Sequence, residues 1–132
     1  MIKAPAAAFF EAIDFGTNRQ LDGPPTSVGT SRTIPMGKAP DSPKIVELQV
    51  ERQVTDSKMS YAYTITNADN PFGAKGYRAD VTVYAGSEDP NTCFCTWIAN
   101  WDEANESIDA LPAMILGGIK KGEEAASGKS KL

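Results

Sequence analysis

Met59-Ser60-Tyr61-Ala62-Tyr63-Thr64-Ile65, Tyr77-Arg78-Ala79-Asp80-Val81-Thr82-Val83 and Cys93-Phe94-Cys95-Thr96-Trp97-Ile98-Ala99-Asn100-Trp101 each set apolar or aromatic side chains at every second position. Side chains alternate across a β-strand, so a period of two gives each run one apolar face. Pro, Gly, Asn and Asp clusters separate the runs, as turns between antiparallel strands require. The stretch from Val28 to Asp102 therefore predicts a curved antiparallel sheet with one face rich in Tyr and Trp.

Working outward, Phe9, Phe10 and Ile13 fall at helical spacing, and Pro5 suits a first turn, so Ala6 to Ile13 reads as a short helix. Asp14 to Ser27 reads as a loop, followed by a strand from about Val28 to Met36. Gly37 to Pro43 is a turn or flap, Ile45 to Thr55 a further strand, and Asp56-Ser57-Lys58 a tight hairpin connection. Asn67 to Ala74 is a longer loop with one exposed-looking aromatic, Phe72. Beyond Trp101, the spacing of Ile108, Leu111, Met114, Ile115, Leu116 and Ile119 predicts a helix with a broad apolar side. Pro112 fits its first turn. Gly117-Gly118 in its interior costs about 1 kcal/mol each relative to Ala, so close packing, room for a ligand or a helix break has to explain the pair.

A chain of 132 residues makes one domain, read as 1–127 with a flexible tail at 128–132. The formal charge of −4 comes from interspersed acids and bases with no basic stripe, so no nucleic acid is expected as a partner. No apolar stretch approaches the roughly 20 residues that span a bilayer, and Glu11 and Asp14 end the first apolar run too early for a signal peptide. Cytoplasmic residence without stable membrane insertion is the expectation. Cys93 and Cys95 lie on one face of one strand, where a disulfide between them would be strained, so they read as small buried hydrophobes. The chain has no histidine, which removes Cys/His zinc sites and any Ser–His or Cys–His nucleophile, and neither metal nor cofactor is expected.

The order short helix, antiparallel strands, C-terminal helix is that of the helix-grip fold, of class α+β. Ile2-Lys3-Ala4-Pro5-Ala6, Val28-Gly29-Thr30-Ser31-Arg32-Thr33, Gly76-Tyr77-Arg78-Ala79, Thr96-Trp97-Ile98-Ala99 and Gly118 to Ala125 occur in matching order and spacing. On these residues the chain resembles the START-like, birch-pollen-allergen-like superfamily, in its polyketide cyclase/dehydrase branch. The resemblance implies a sheet gripping a long helix around an apolar cavity for a lipid, a hormone or a polyketide. The residues it assigns to that cavity are Glu47, Tyr61, Tyr63, Tyr77, Ala79, Trp97 and Ala99, with Ile115 and Ile119 as the floor. Met36 to Asp41 takes the place of a gate loop. Where the family has a full first strand, only Met1 to Lys3 precede Ala4, and the helical pair that follows is short. A sheet edge left unpaired by such a shortening invites a homodimer, unless the natural start lies further upstream.

The resemblance wants Glu47 inside, where a carboxylate would bind a polar ligand group or act as a general acid or base. Alternation offers the opposite: if Val46, Leu48, Val50 and Val54 are core, then Glu47, Gln49 and Glu51 face solvent, and only a β-bulge reconciles the two. The hydroxyls of Tyr61, Tyr63 and Tyr77 could hydrogen-bond a ligand carbonyl, with Trp97 and Trp101 as flat walls. Arg32 is either an anchor for a ligand carboxylate or, more simply, a surface residue whose stem covers apolar area. Three functions follow: binding of a small hydrophobic or amphipathic ligand; a cyclase/aromatase- or dehydratase-type enzyme; or an interaction module whose cavity has collapsed.

Overall fold

A computed structural model of the chain describes residues 1–16 and 20–127. The tail assigned to 128–132 lies outside the described residues. The fold is α+β: helix α1 (Ala6–Ile13), strands β1 (Gln20–Leu21), β2 (Ser31–Pro35), β3 (Lys44–Val54), β4 (Lys58–Ile65), β5 (Arg78–Ala85) and β6 (Cys93–Asn100), then a 3-10 turn (Glu106–Ala110) leading into helix α2 (Leu111–Ser127). The six strands form one antiparallel sheet in chain order, so every connection joins neighbours. Hairpins suffice for such a sheet, and no crossover is needed.

Helix α1 lies against the apolar face of this curved sheet and α2 packs on α1 across that face, in a helix-grip arrangement. Phe9, Phe10 and Ile13 of α1 are buried, each contributing roughly 1.5–3 kcal/mol by leaving water. They meet Tyr61, whose ring contacts Phe10 edge-on at 6.0 Å and whose hydroxyl donates to the Ile13 carbonyl at 2.9 Å. Helix α2 rests on α1 through Gly122, which is buried and leaves no room for a side chain beside Ile13 and Phe9. At its other end Leu111 is buried in the core. Between these two supports α2 stands off the sheet.

The structure corrects five readings. β1 falls within the segment read as loop, and β2 starts at Ser31 rather than Val28, which is exposed and precedes Gly29 at φ 98°. Phe72, read as exposed, is buried, because Asn70 folds its loop inward by bonding the Ala74 N–H and the Asn67 and Ala74 carbonyls. Arg32 is buried rather than a surface residue, since its ring contacts and ion pair lie on the inner face. The alternation that would turn Glu47 outward also fails: Ile45, Glu47 and Gln49 face inward, while Val46, Leu48 and Val50 share the half-buried outer face. A register shift between Gln49 and Glu51 follows, and it returns Arg52 to the inner side opposite Tyr61. That bulge comes after Glu47, so it is not what turns the carboxylate in.

Before α1 the chain contributes one isolated bridge to the sheet: Ile2 and Cys93 exchange both backbone bonds, at 2.9 and 3.0 Å.

Candidate functional site

The inner face presents residues that cross-strand register lines up. Gln49, Tyr63, Ala79 and Ala99 form one row across β3 to β6, and Arg52, Tyr61, Val81 and Trp97 form the next. Tyr61 and Tyr63, two apart on β4, meet rings from the turn after α1 and from the ends of β5 and β6: Phe15 with Tyr61 at 6.0 Å, Tyr61 with Tyr63 at 6.1 Å, Tyr63 with Tyr77 at 6.2 Å and Tyr77 with Trp101 at 6.3 Å. Such contacts fix ring orientation and add to simple burial.

At the β2 end of this face, Arg32 and Glu47 are direct register partners, and Arg32 Nε donates to Glu47 Oε1 at 2.5 Å with both side chains under 10% exposed. Arg32 Nη1 also donates to the Phe15 carbonyl at 3.0 Å, and the guanidinium carbon lies 4.4 Å from the Phe15 ring centre and 4.9 Å from that of Tyr63. The cation thus lies against two adjoining rings, as a desolvated guanidinium favours. Burial, the largest single influence, would lower its pKa, but the charge of Glu47, the neighbouring Tyr61 and Tyr63 and the hydrogen bond to Glu47 together outweigh it, and the net shift is upward. A second ion pair lies beside it: Arg52 donates to both oxygens of Asp14, at 2.8 and 2.7 Å, tying the end of α1 to the bulge.

Above these groups, between the sheet and α2, is a cavity of about 550 Å³. Arg32, Ile34, Glu47, Tyr61, Tyr63 and Trp97 line its sheet side, and Met114, Ile115, Gly118, Lys121, Gly122 and Ala125 its helix side. Lys121 and Met114 are exposed and mark its rim. An apolar groove of about 480 Å³ lies further along α2, between Trp97, Ala99 and Trp101 on one side and Ile115, Leu116 and Ile119 on the other. Trp97 borders both spaces, and its indole N–H is buried with no acceptor among the described residues.

Of the residues read as a pocket from the sequence, Glu47, Tyr61, Tyr63, Trp97 and Ile115 line the cavity, and Ala99 and Ile119 line the groove. Tyr77 and Ala79 are buried in the core and border neither space. Sequence reading did not place Asp14, Ile34, Met114, Lys121 or Ala125 there. Gly118 had left a signal: a helix-interior glycine is costly, and this one meets nothing within 4 Å where a Cβ would stand. Open cavity space, rather than close packing, surrounds it. Close packing explains Gly122 instead.

The chemistry this arrangement offers is that of recognition. Burial pushes the Tyr77 hydroxyl up to about 12 and raises Tyr61 and Tyr63 well above the ordinary tyrosine range, so all three are neutral donors at physiological pH. Burial likewise raises Cys93 and pushes Cys95 up to about 11, leaving both as weakly reactive thiols. Glu47 is engaged with Arg32 and so serves first as the partner of a buried cation. Among the described residues, no helix is long and apolar enough to cross a membrane, and no three His, Cys, Asp or Glu side chains gather as a metal site. No protein-family model matches the chain, and no curated protein matches it at a significant level.

Proposed function

We propose that this protein binds a small hydrophobic or amphipathic molecule in the cavity between its sheet and α2, as the resemblance to START-like proteins implies. The observation that carries the reading is a cavity of about 550 Å³ whose lining is mainly apolar and also includes Asp14, Arg32, Glu47 and Lys121. Ligand sites combine these features: a concave apolar lining, a volume of roughly 300–1,000 Å³ and a small number of fixed polar contacts. Tyr61, Tyr63, Trp97, Ile34 and Ile115 would hold the ligand body. The unpartnered Trp97 N–H would donate to a ligand oxygen, a contact that removes the cost of leaving a buried donor unmade. The Arg32–Glu47 pair sets the polarity of the far wall.

Binding is favoured over cyclase-type catalysis because general acid–base work needs a group whose pKa lies near the working pH. The tyrosines are held far above it, and the inward carboxylate of Glu47 is bound to a guanidinium.

The test is a titration of the purified chain, as a Trp101→Phe variant, with 1-anilinonaphthalene-8-sulfonate. Trp97 is then the sole indole. A saturable rise in probe emission, with quenching of Trp97 through energy transfer at one site per chain, supports the proposal. Absence of saturable binding refutes it.

A further inference from the structure

We propose that the cavity selects a ligand with a single negative charge, an amphipathic monoanion such as a carboxylate on an apolar body, and that Lys121 is the residue that reads this charge. This rests on the cavity being a ligand site and adds the chemistry of the ligand's head. Among the described residues, the charged side chains that line the cavity are Asp14, Arg32, Glu47 and Lys121. Arg32 and Glu47 neutralise one another on the inner face. Asp14 is held through both carboxylate oxygens by Arg52, which reaches it from the bulge of β3. Lys121 has no ion-pair partner among the described residues. The chain as a whole carries a formal charge of −4, yet around the cavity one positive charge is left over.

The surroundings of Lys121 keep that charge available. Met114, Gly118, Lys121, Gly122 and Ala125 share one face of α2, because residues three and four apart stack along a helix. The nearest neighbours of Lys121 on this face are therefore Gly118, Gly122 and Ala125, whose side chains do not exceed a methyl group, and a Cβ at Gly118 would meet nothing within 4 Å. The lysine stem can lie along an apolar ligand body while its ammonium stays at the water boundary. Asp14 cannot become its counter-ion without giving up the bonds of 2.8 and 2.7 Å to Arg52.

The sign of the ligand follows from desolvation. A molecule that fills the cavity to its rim takes water from the ammonium, and an ionic group that loses water needs an opposite charge beside it. A neutral ligand leaves that cost standing, and a cation adds repulsion to it. A monoanion removes both. Trp97 contributes a buried N–H without an acceptor to the same lining, so the wall offers uncommitted donors while its two carboxylates are both engaged by arginines.

Paired titrations of the full chain with 1-anilinonaphthalene-8-sulfonate and with N-phenyl-1-naphthylamine, the same skeleton without the sulfonate, test this in the wild type and in Lys121→Gln, Lys121→Glu, Lys121→Arg and Lys120→Gln. Lys120 is exposed and lines neither the cavity nor the groove, so its variant controls for net charge. The readout is the ratio of the two affinities, in which changes of fit common to both probes cancel. The ratio should fall about threefold in Lys121→Gln and further in Lys121→Glu, and be kept by Lys121→Arg and Lys120→Gln. Added salt should lower it in the wild type more than in Lys121→Gln. A ratio that both Lys121→Gln and Lys121→Glu leave unchanged, a fall matched by Lys120→Gln, or binding of the neutral probe alone overturns the assignment and leaves the cavity a ligand site. A wild-type chain that binds neither probe overturns the ligand reading, and the anion selectivity with it.

Discussion

Arg32 and Glu47 face one another as register partners on β2 and β3, and their side chains meet in the interior at 2.5 Å, roofed by the rings of Phe15 and Tyr63. Two opposite charges can share the inner face of a sheet only if each neutralises the other, because either one alone would face the desolvation cost unaided. The pair therefore makes both residues mutually dependent. Replacing Glu47 with Gln, or Arg32 with Met, is expected to lower unfolding free energy by about 3 kcal/mol in denaturant titrations, since each leaves an uncompensated buried charge or donor. The double variant Arg32→Met/Glu47→Leu should lose clearly less than the sum of the two. Additive losses would show that the pair is not coupled.

The glycines of α2 separate open space from close packing. Gly117 meets nothing within 4 Å, so Gly117→Ala should raise stability by about 0.5–1 kcal/mol, through the helix propensity alone. Gly122→Ala should act oppositely, by about 1–3 kcal/mol, because its methyl would collide with Ile13 Cγ2 and stand 3.2 Å from Phe9 Cε1. Thermal melts of the two variants should move in opposite directions.

Gly118→Leu combines both features in one position. Gly118 lines the cavity and has room for a side chain, so the variant should melt at least as high as the wild type while its affinity for 1-anilinonaphthalene-8-sulfonate falls at least about tenfold. Fluorescence titration and a thermal melt on the same preparation read the two effects independently. Unchanged affinity would place the probe outside the cavity.

The buried tyrosines predict an alkaline limit to stability. Folding raises the pKa of Tyr61, Tyr63 and Tyr77, so the folded state holds their protons more tightly than the unfolded chain does. Their contribution is complete below the unfolded value of about 10 and declines as pH rises through the folded values. Unfolding free energy should therefore fall above pH of about 10, and in a Tyr84→Phe background tyrosinate absorbance should rise together with loss of β-sheet circular dichroism. Tyrosinate appearing well before unfolding would mean that these hydroxyls reach solvent.

Much of this fold is legible in the chain. Helical spacing of Phe9, Phe10 and Ile13 marks α1 over the residues it occupies, and two-residue alternation marks β3 to β6 within a residue or two at each end. β1 carries no such signal, because Gln20-Leu21 is too short to alternate and, among the described residues, pairs through Thr33 and Arg32. The inward placement of Arg32 and Glu47 is hidden for a different reason. Alternation tells which residues share a face, but not which face is buried, and on β3 the valine face looks the more apolar. The decision lies in cross-strand register, which brings a cation opposite an anion and lets the polar face go inside. Tyr61, Tyr63 and Trp97 are found by pattern because their face is apolar on either account. Tyr77 and Ala79 share that pattern and still lie below the cavity, since distance from α2 is a property of packing that no strand encodes locally.

The central claim is that the cavity holds a small molecule, and native mass spectrometry of the full-length chain purified from cells, with 1-anilinonaphthalene-8-sulfonate titrated into the same sample, tests it most directly. The account predicts one small-molecule adduct per chain that is lost on denaturation, or an empty chain that takes up one probe molecule, with either form of occupancy reduced in Gly118→Leu. A chain that carries no adduct and leaves the probe unbound would contradict it.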